Sequence, residues 1–549
     1  MSTKNRWRIL GVLLSLVLLA AACGSDDSTA SDEETSTETT ASAGISTTQG
    51  DSSDDEADQE DAPAEAGPAS GTLRYVEFSP VTTFDPAKAQ TAQAAYLYPV
   101  YDTLTRQNNE FGLEPALATS WEAPSPDTWV FQIRDDVVFH DGEPLDAAAV
   151  VANMEYHAGT EGNPNGATWA GFAGAEATGD YEVTVTFNVP QPQFPIEMSM
   201  VMGMMISPAA IAAGTDLTRD PQGSGPWIWQ DGESEAGVTE VFTLFDQYWN
   251  PADQGVERIE VTSVPDNTAR LNALLTGETD IMATIRDAQI DQAVEGGNEV
   301  LSVPNYFPYL GVFGRAEGAV DGDLLQLDLI RQAIAYSIDR DAYNEAIHAG
   351  KGDSKGGIYP SAFDEWHVAA LDDTFDYDPE KAKELLAEAG FPDGITLQTP
   401  IMPAIQPHVE LVTQMLGATG ITLEQTQINN GELGPRMRSG EFGIGWGREL
   451  LYHPANTYPK YTAEDGVWNP FRLTDLKDLD DTMAEAAAAP DLATQQELYA
   501  EVSTQLIDRN VIIPLAHGSQ NAAWTPAVTG VVMGLNMQAP MPYGVRVEG

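Results

Sequence analysis

From Gly24 to Gly71 the chain carries 14 acidic residues and no Lys, Arg or aromatic residue, in a run of Ser, Thr, Ala, Gly, Asp and Glu. Such a stretch lacks the apolar area needed to offset the entropy of ordering it, so it is expected to be a disordered tether. Folding is thereby confined to the residues from Thr72 onward. At roughly 150 residues per domain, the remaining length suits several domains or one large two-lobed body. The composition supplies a core for it, with 42% hydrophobic residues, 11 Trp and 18 Tyr in the whole chain. Treated as a flexible chain, the tether reaches roughly 35–40 Å, and its self-repulsion extends it further. It suits either a protein that swings between a membrane partner and the surrounding fluid or a plain spacer through a cell wall.

What precedes the tether is equally distinct. Lys4, Arg6 and Arg8 are followed by an uncharged run from Ile9 to Ala22, a basic segment and an apolar segment in the order of a signal peptide. A helix over that run spans about 21 Å, short of the roughly 30 Å hydrocarbon core, which disfavours a permanent transmembrane helix. The only cysteine of the chain, Cys23, stands where the apolar run ends, in Leu19-Ala20-Ala21-Ala22-Cys23 followed by Gly24 and Ser25. This resembles a bacterial lipobox, with Ala20 where Leu is usual. Its thiol is then expected to be acylated and to anchor the chain at a membrane face. The alternative is an ordinary cleavage site at Ala20-x-Ala22 that leaves a bare thiol.

Charge narrows the partners. The chain has 84 Asp and Glu against 26 Lys and Arg, a net charge of −58. Setting aside the three basic residues before Cys23 and the 14 acidic ones of the tether leaves 70 against 23, about −47 for the body. A body so acidic repels nucleic-acid phosphates and anionic lipid, so nucleic-acid binding is excluded; the charge serves solubility.

The body opens with an alternating strand over Thr72–Phe78, closed by Ser79-Pro80. A second strand region runs from Thr128 to Phe139 with Trp129, Phe131 and Ile133 alternating, and Asp141-Gly142 reads as a turn. Ala147 to Tyr156 reads as a helix, and Val183, Val185 and Phe187 mark another strand, so the class is mixed α/β. Asp378-Pro379 supplies an N-cap and a first-turn proline, Ala382, Leu385, Leu386 and Ala389 an apolar face, and Gly390 a stop. Over Arg331–Arg340 the residues Ala333, Ile334, Ser337 and Ile338 share one helical face, leaving Asp339 and Arg340 as surface or helix-end charges.

Enzyme chemistry finds little support. The seven histidines, His140, His157, His348, His367, His408, His453 and His517, include no HExxH pair and no compact metal cluster. His140-Asp141-Gly142 is better explained as a hairpin turn than as a catalytic site. Gly223-Ser-Gly-Pro-Trp227 lacks the spacing of a nucleophile elbow, and no glycine-rich loop carries a P-loop lysine.

A series of segments in fixed order carries a resemblance. They are Leu117-Ala-Thr-Ser-Trp121, Trp129-Val-Phe-Gln-Ile-Arg-Asp-Asp-Val-Val-Phe-His-Asp-Gly-Glu-Pro-Leu145, Gly223-Ser-Gly-Pro-Trp227 and Tyr248-Trp249. Val264-Pro-Asp266, Arg270-Leu-Asn-Ala-Leu274 and Gly277-Glu-Thr-Asp280 follow. Ile330 to Arg340 and Tyr377-Asp-Pro-Glu-Lys-Ala-Lys-Glu-Leu-Leu-Ala-Glu-Ala-Gly-Phe391 complete the series. The chain from Gly71 to Gly549 resembles the extracytoplasmic solute-binding proteins of family 5, the peptide and nickel class that serves ABC importers.

The resemblance implies a two-lobed α/β fold of the type II periplasmic-binding-protein kind with an extra inserted domain. It implies a signal peptide over 1–22, a lipidated Cys23 with tether over 23–71, and a discontinuous lobe I from 72–104, 223–304 and 516–549. An inserted subdomain over 105–222 and lobe II over 305–515 complete the division. The expected function is capture of a small solute, a short peptide first among the classes, between the lobes, and its delivery to a membrane permease. No catalysis, cofactor or metal ligand set is implied, and a monomer held at the outer membrane face by its lipid is expected. A receptor or adhesion lipoprotein without transport, or a secreted hydrolase, is the alternative.

Ligand residues are expected around Phe442-Gly-Ile-Gly-Trp446-Gly-Arg-Glu-Leu450. Peptide-binding relatives carry an Asp after a Trp in this lobe; here Trp446 offers a stacking wall, and Arg448 and Glu449 stand where the Asp is expected. Glu449 suits an ammonium group and Arg448 a carboxylate, with exposed strand-end charges as the alternative. Phe78, Tyr306, Tyr309, Trp468 and Asn469, at expected lobe crossings, complete the candidates, with core packing as the alternative for each.

Overall fold

Strand structure begins where the tether's composition ends. In the computed structural model Thr72–Glu77 forms the first strand, with Leu73, Tyr75 and Val76 buried. The model describes residues 68–548, apart from 110–111, 364, 430–431, 452, 465, 467, 490 and 535–538. The expected signal peptide, Cys23 and nearly all of the tether lie outside the described residues.

The first strand pairs in parallel with Arg258–Ser263 on one side and with Ile281–Met282 on the other. It thereby sits inside a nine-stranded sheet, where a strand buried on both sides needs apolar side chains. Along the sheet the order is Ile444–Leu450, Glu299–Val312, Gly518–Trp524, Ile281–Met282, Thr72–Glu77, Arg258–Ser263, Thr239–Leu244 and Trp227–Trp229, with Ile512–Pro514 also paired to Glu299–Val312. The 14-residue strand Glu299–Val312 lies next to one edge and pairs with Ile444–Leu450, Ile512–Pro514 and Gly518–Trp524. Its register against Gly518–Trp524 shifts between Val303 and Tyr306. Pro304 lies in that interval and has no N–H to give the ladder, and the expected boundary between lobes falls at the same place.

A separate four-stranded antiparallel sheet runs in the order Ala118–Ser125, Thr128–Ile133, Glu182–Phe187, Phe172–Gly179. Phe131, Ile133, Val183, Val185 and Phe187 are buried on it, as their alternation predicts. The helix Ala147–Gly159 follows Asp146, whose carboxylate accepts from the Ala149 N–H at 2.8 Å. His140 lies in a tight turn closed by the Val138–Pro144 bridge, with Gly142 at φ +89°. Its ring bonds the Gly225 carbonyl at 2.9 Å, and burial pushes its pKa down to about 4, which makes it a packing residue.

The Pro379–Glu388 helix has the caps its sequence promises: Asp378 accepts from the Lys381 N–H at 2.9 Å, and Gly390 takes φ +95°. The Arg331–Arg340 segment departs from expectation. The helix Asp328–Tyr336 ends before Ser337, whose hydroxyl bonds back to the Ala333 carbonyl at 2.6 Å, and Asp339 caps a second helix, Arg340–His348, through the Ala342 N–H. Arg340 is buried rather than superficial. Its guanidinium donates to the carbonyls of Pro514 and Phe375, both at 3.0 Å, and burial lowers its pKa to about 10.

Several segments that carry the resemblance are structural. Asp102, fully buried, accepts from Arg106 at 3.0 Å, the Tyr248 hydroxyl at 2.8 Å, the Trp249 indole at 3.1 Å and Ser224 at 3.3 Å. Arg106 also reaches Asp253 at 2.6 Å, and its guanidinium lies 3.9 Å from the centre of the Tyr543 ring. Gly223 and Gly225 let this region close: a Cβ would stand 2.1 Å and 2.5 Å, respectively, from the Val100 backbone.

Buried Glu77 and Glu197 and half-buried Glu365 set a pH response. Burial pushes Glu77 up to about 8, and Glu197 and Glu365 up to about 7. In the folded state these groups keep protons that the unfolded chain releases near its ordinary carboxylate value, so stability falls as pH rises until the folded pKa values are passed. The buried histidines act lower on the scale. His140, His157 and His408 at about 4 and His453 at about 3 reduce stability only as pH falls below 6.5. The melting temperature is therefore expected to drop between pH 6.5 and 8.5, and Glu77→Gln to flatten the upper part of that fall. A flat profile in the parent protein, measured by scanning fluorimetry in matched buffers, would overturn this account.

Candidate functional site

Alternation along Ile444–Leu450 sorts the expected ligand residues onto two faces. Pairing with the long strand places Trp446 opposite Leu310, Arg448 opposite Pro308 and Glu449 opposite Phe307. Trp446 and Arg448 therefore share one face with Tyr306, whereas Glu449 shares the other with Phe307 and Tyr309.

Glu449 stands in a polar and aromatic cluster. Its carboxylate accepts from the Lys460 ammonium at 2.6 Å and from the Trp468 indole at 2.9 Å. The Trp468 ring stacks on Phe313 with centroids 6.0 Å apart. Tyr309 packs between Phe307 at 5.3 Å and Tyr461 at 5.5 Å. Burial, with Glu449 beside them, holds both phenols well above the ordinary tyrosine range, so they stay protonated donors. The Tyr309 hydroxyl interacts with the Tyr461 hydroxyl and with Glu449, although neither phenol reaches close hydrogen-bond geometry. Gly447 makes the arrangement possible, because a Cβ there would stand 1.7 Å from Tyr309 Cζ.

Trp446 is not on this wall. It is 4% exposed within a second hydrophobic core with Leu310, Val312 and Ile444, and its indole donates to Thr399 Oγ1 at 2.8 Å. Asn469 is likewise occupied: its side chain donates to the Ala463 and Leu473 carbonyls and accepts from the Leu473 N–H, which fixes a loop. Phe78, 38% exposed, stands apart at the end of the first strand, where its N–H donates to the buried Glu77. Tyr306 lies under the Arg448 guanidinium, 4.8 Å from ring centre to Cζ. Lys460 and Tyr461 escaped sequence reasoning, because nothing in His453-Pro-Ala-Asn-Thr-Tyr-Pro-Lys460 marks a partner for a strand residue upstream.

One more contact bears on the site. Asn456, just before these residues, donates to Glu197 at 2.8 Å and accepts from Gln193. It links the segment over 105–222 to the segment that carries Glu449. Among the described residues, no group of three or more His, Cys, Asp or Glu is placed to hold a metal ion, and no helix is long and apolar enough to cross a membrane.

Comparison with known proteins sets this geometry in a family. Residues 112–466 match the family model described as bacterial extracellular solute-binding proteins, family 5 Middle. The chain is a family 5 solute-binding protein. Heme-binding protein A of Haemophilus influenzae is 25% identical over 496 residues, covering 82% of this chain and 87% of that one. The glutathione-binding protein GsiB of Escherichia coli is 25% identical over 473 residues, covering 82% and 89%. Among solved structures, the periplasmic binding protein DppA of Helicobacter pylori in complex with peptide STSA superposes with TM-score 0.71 at 21% identity, over 88% of this chain and 99% of that one. The solute-binding protein thus has the two-lobed type II fold with mixed α/β architecture, and belongs to an extracytoplasmic class whose relatives are named as binding proteins.

Proposed function

We propose that this solute-binding protein is the lipid-anchored receptor of an ABC importer, and that it captures a short peptide or a solute of similar size. The observation that carries the reading is the Glu449 cluster: a carboxylate held by Lys460 and Trp468, with the protonated hydroxyls of Tyr309 and Tyr461 beside it. Rings with polar tips around one charged group suit a small ligand with both apolar and polar parts. A peptide's ammonium would replace Lys460 at Glu449, and Tyr309 and Tyr461 would donate to its carbonyls. The names of relatives that bind glutathione and a peptide favour this class, and the expected Asp is replaced by the chemically similar Glu449.

In this reading lobe I comprises 72–104, 223–304 and 516–549, lobe II comprises 305–515, and 105–222 is the inserted subdomain. Ligand bound to both sides favours the closed state by its differential contacts. The Asn456 link to Gln193 and Glu197 is a contact that closure makes and opening breaks. The closed form is what a permease recognises, and ATP hydrolysis belongs to a separate subunit. Cys23 carries the lipid, and the acidic tether gives the receptor its reach.

One experiment addresses both parts. Mass spectrometry of protein extracted natively from membranes is expected to show an acylated Cys23 at the mature N-terminus and a retained peptide. An unmodified Cys23 would overturn the anchor. A retained sugar, opine or metal chelate would replace the peptide, and failure of every solute class to raise the melting temperature would overturn the receptor reading.

A further inference from the structure

A pocket of about 310 Å³ lies between the segment over 365–368 and the Leu492–Asp508 helix, and no residue of the Glu449 cluster lines it. That volume suits a small ligand. Glu365 forms part of the wall, half-buried, and makes no hydrogen bond or ion pair among the described residues. Burial raises its pKa to about 7, with no cation or donor drawing it back. Asp102, Glu240 and Asp280, also withdrawn from water, are each paired with an arginine, Arg106, Arg219 and Arg74 respectively. A carboxyl taken out of water without a counter-charge is a costly arrangement, and a bound cation removes that cost.

An independent sign of a ligand comes from the aromatic side chains that line the same pocket. Trp366, 8% exposed, has an indole N–H with no acceptor among the described residues, and Tyr499, 1% exposed, has a hydroxyl with no partner. Buried polar groups in folded proteins are normally satisfied, so two such groups beside one cavity point to an occupant. Neither ring is free to turn away. The Trp366 ring is centred 5.7 Å from Tyr499 and 4.6 Å from His453, and Tyr499 is 5.4 Å from His453. From the helix, Gln496 and Glu497 add an amide and a second carboxylate. His367, the one basic side chain in the lining, is already engaged: its Nδ1 lies 3.0 Å from the Tyr359 carbonyl and its Nε2 3.3 Å from the Asp372 carboxylate.

We propose that this pocket binds a small primary ammonium compound that also carries an oxygen acceptor, at a site separate from the solute site at Glu449. The ammonium group pairs with Glu365 through charge-assisted hydrogen bonds, and Glu497 adds its charge at the rim. The oxygen accepts from the Trp366 indole N–H, and the methylene groups between them lie against the Trp366 and Tyr499 rings. Binding ionises Glu365. Of the other titratable groups around it, Glu497 is exposed, His367 and Asp372 face each other, and burial keeps the Tyr499 phenol protonated.

Thermal-shift titrations of the full chain in detergent test this, with ethanolamine hydrochloride as the probe and tetramethylammonium, calcium and sodium chlorides at matched ionic strength beside it. Ethanolamine is expected to raise the melting temperature above all three. Glu365→Gln, close to the same shape, is expected to weaken the apparent affinity tenfold or more, as loss of a charge-assisted pair should. Trp366→Phe, which keeps a ring but removes the N–H, is expected to weaken it about threefold or more. Glu384→Gln, on an exposed helix, controls for the loss of one negative charge and should leave the response unchanged. Glu449→Gln should leave it unchanged as well, which separates this pocket from the solute site. In the parent protein the apparent affinity should rise about tenfold from pH 6 to pH 8, as the ionised fraction of Glu365 grows, and Glu365→Gln should abolish that rise. No ethanolamine response, an equal response to tetramethylammonium or calcium, equal affinities in the parent and Glu365→Gln, or loss of the response in Glu449→Gln would overturn the proposal.

Discussion

Replacing Asp102 with alanine is expected to destabilise the folded body by about 3–5 kcal/mol, the cost of breaking a buried charged network by removing one partner. Burial pushes the Asp102 carboxyl up in pKa, while the Arg106 guanidinium and the Tyr248 and Trp249 donors pull it back. Its removal leaves the Trp249 and Ser224 donors without that acceptor and Arg106 with Asp253 and the Tyr248 hydroxyl. Asp253, 13% exposed at the side chain, is reached by water, so Asp253→Ala should cost less, about 1–2 kcal/mol. Urea unfolding followed by tryptophan fluorescence reads both. A loss below about 1 kcal/mol for Asp102→Ala would show that the network rearranges around water, contrary to this account.

Gly447→Ala is the second large effect. The new Cβ would fall within 1.7 Å of Tyr309 Cζ and 2.1 Å of its hydroxyl. Tyr309 is fully buried between Phe307 and Tyr461 and has little room to retreat. Overpacking of this kind costs about 1–3 kcal/mol, and the upper end is expected here. The ring should also tilt away from Glu449, so ligand affinity should fall together with stability. The double variant with Tyr309→Ala isolates the cause. If the overlap is responsible, the two changes together should cost at least about 1 kcal/mol less than their sum. Strict additivity would place the strain elsewhere.

Much of the fold could be read from local signals. Asp378-Pro379 and Gly390 mark a helix at both ends, because caps act through neighbouring backbone groups. The alternation of Val183, Val185 and Phe187 marks a strand for a similar reason. The Asp102 network was hidden, since its partners Tyr248 and Trp249 lie 146 and 147 residues away, and its segments looked like unrelated motifs. At the candidate site, the strand around Trp446 was recognised, but its residues were treated as one group. The period of two in a strand places Trp446 and Arg448 away from Glu449, and the second core then claims the indole. Arg340 illustrates the converse. Its charge suggested a surface or helix-end position; it does begin a helix, yet backbone carbonyls of Pro514 and Phe375 satisfy it inside.

The sheet order also has a consequence for how the chain is made. Thr72–Glu77 finds partners only once Arg258–Ser263 and Ile281–Met282 are available, and Ile281–Met282 gains its second neighbour only with Gly518–Trp524 at the far end. Pairings between such distant segments form slowly, because the loop entropy must be paid before any contact rewards it. A nascent chain with this topology cannot close its central sheet until nearly all of it has been synthesised.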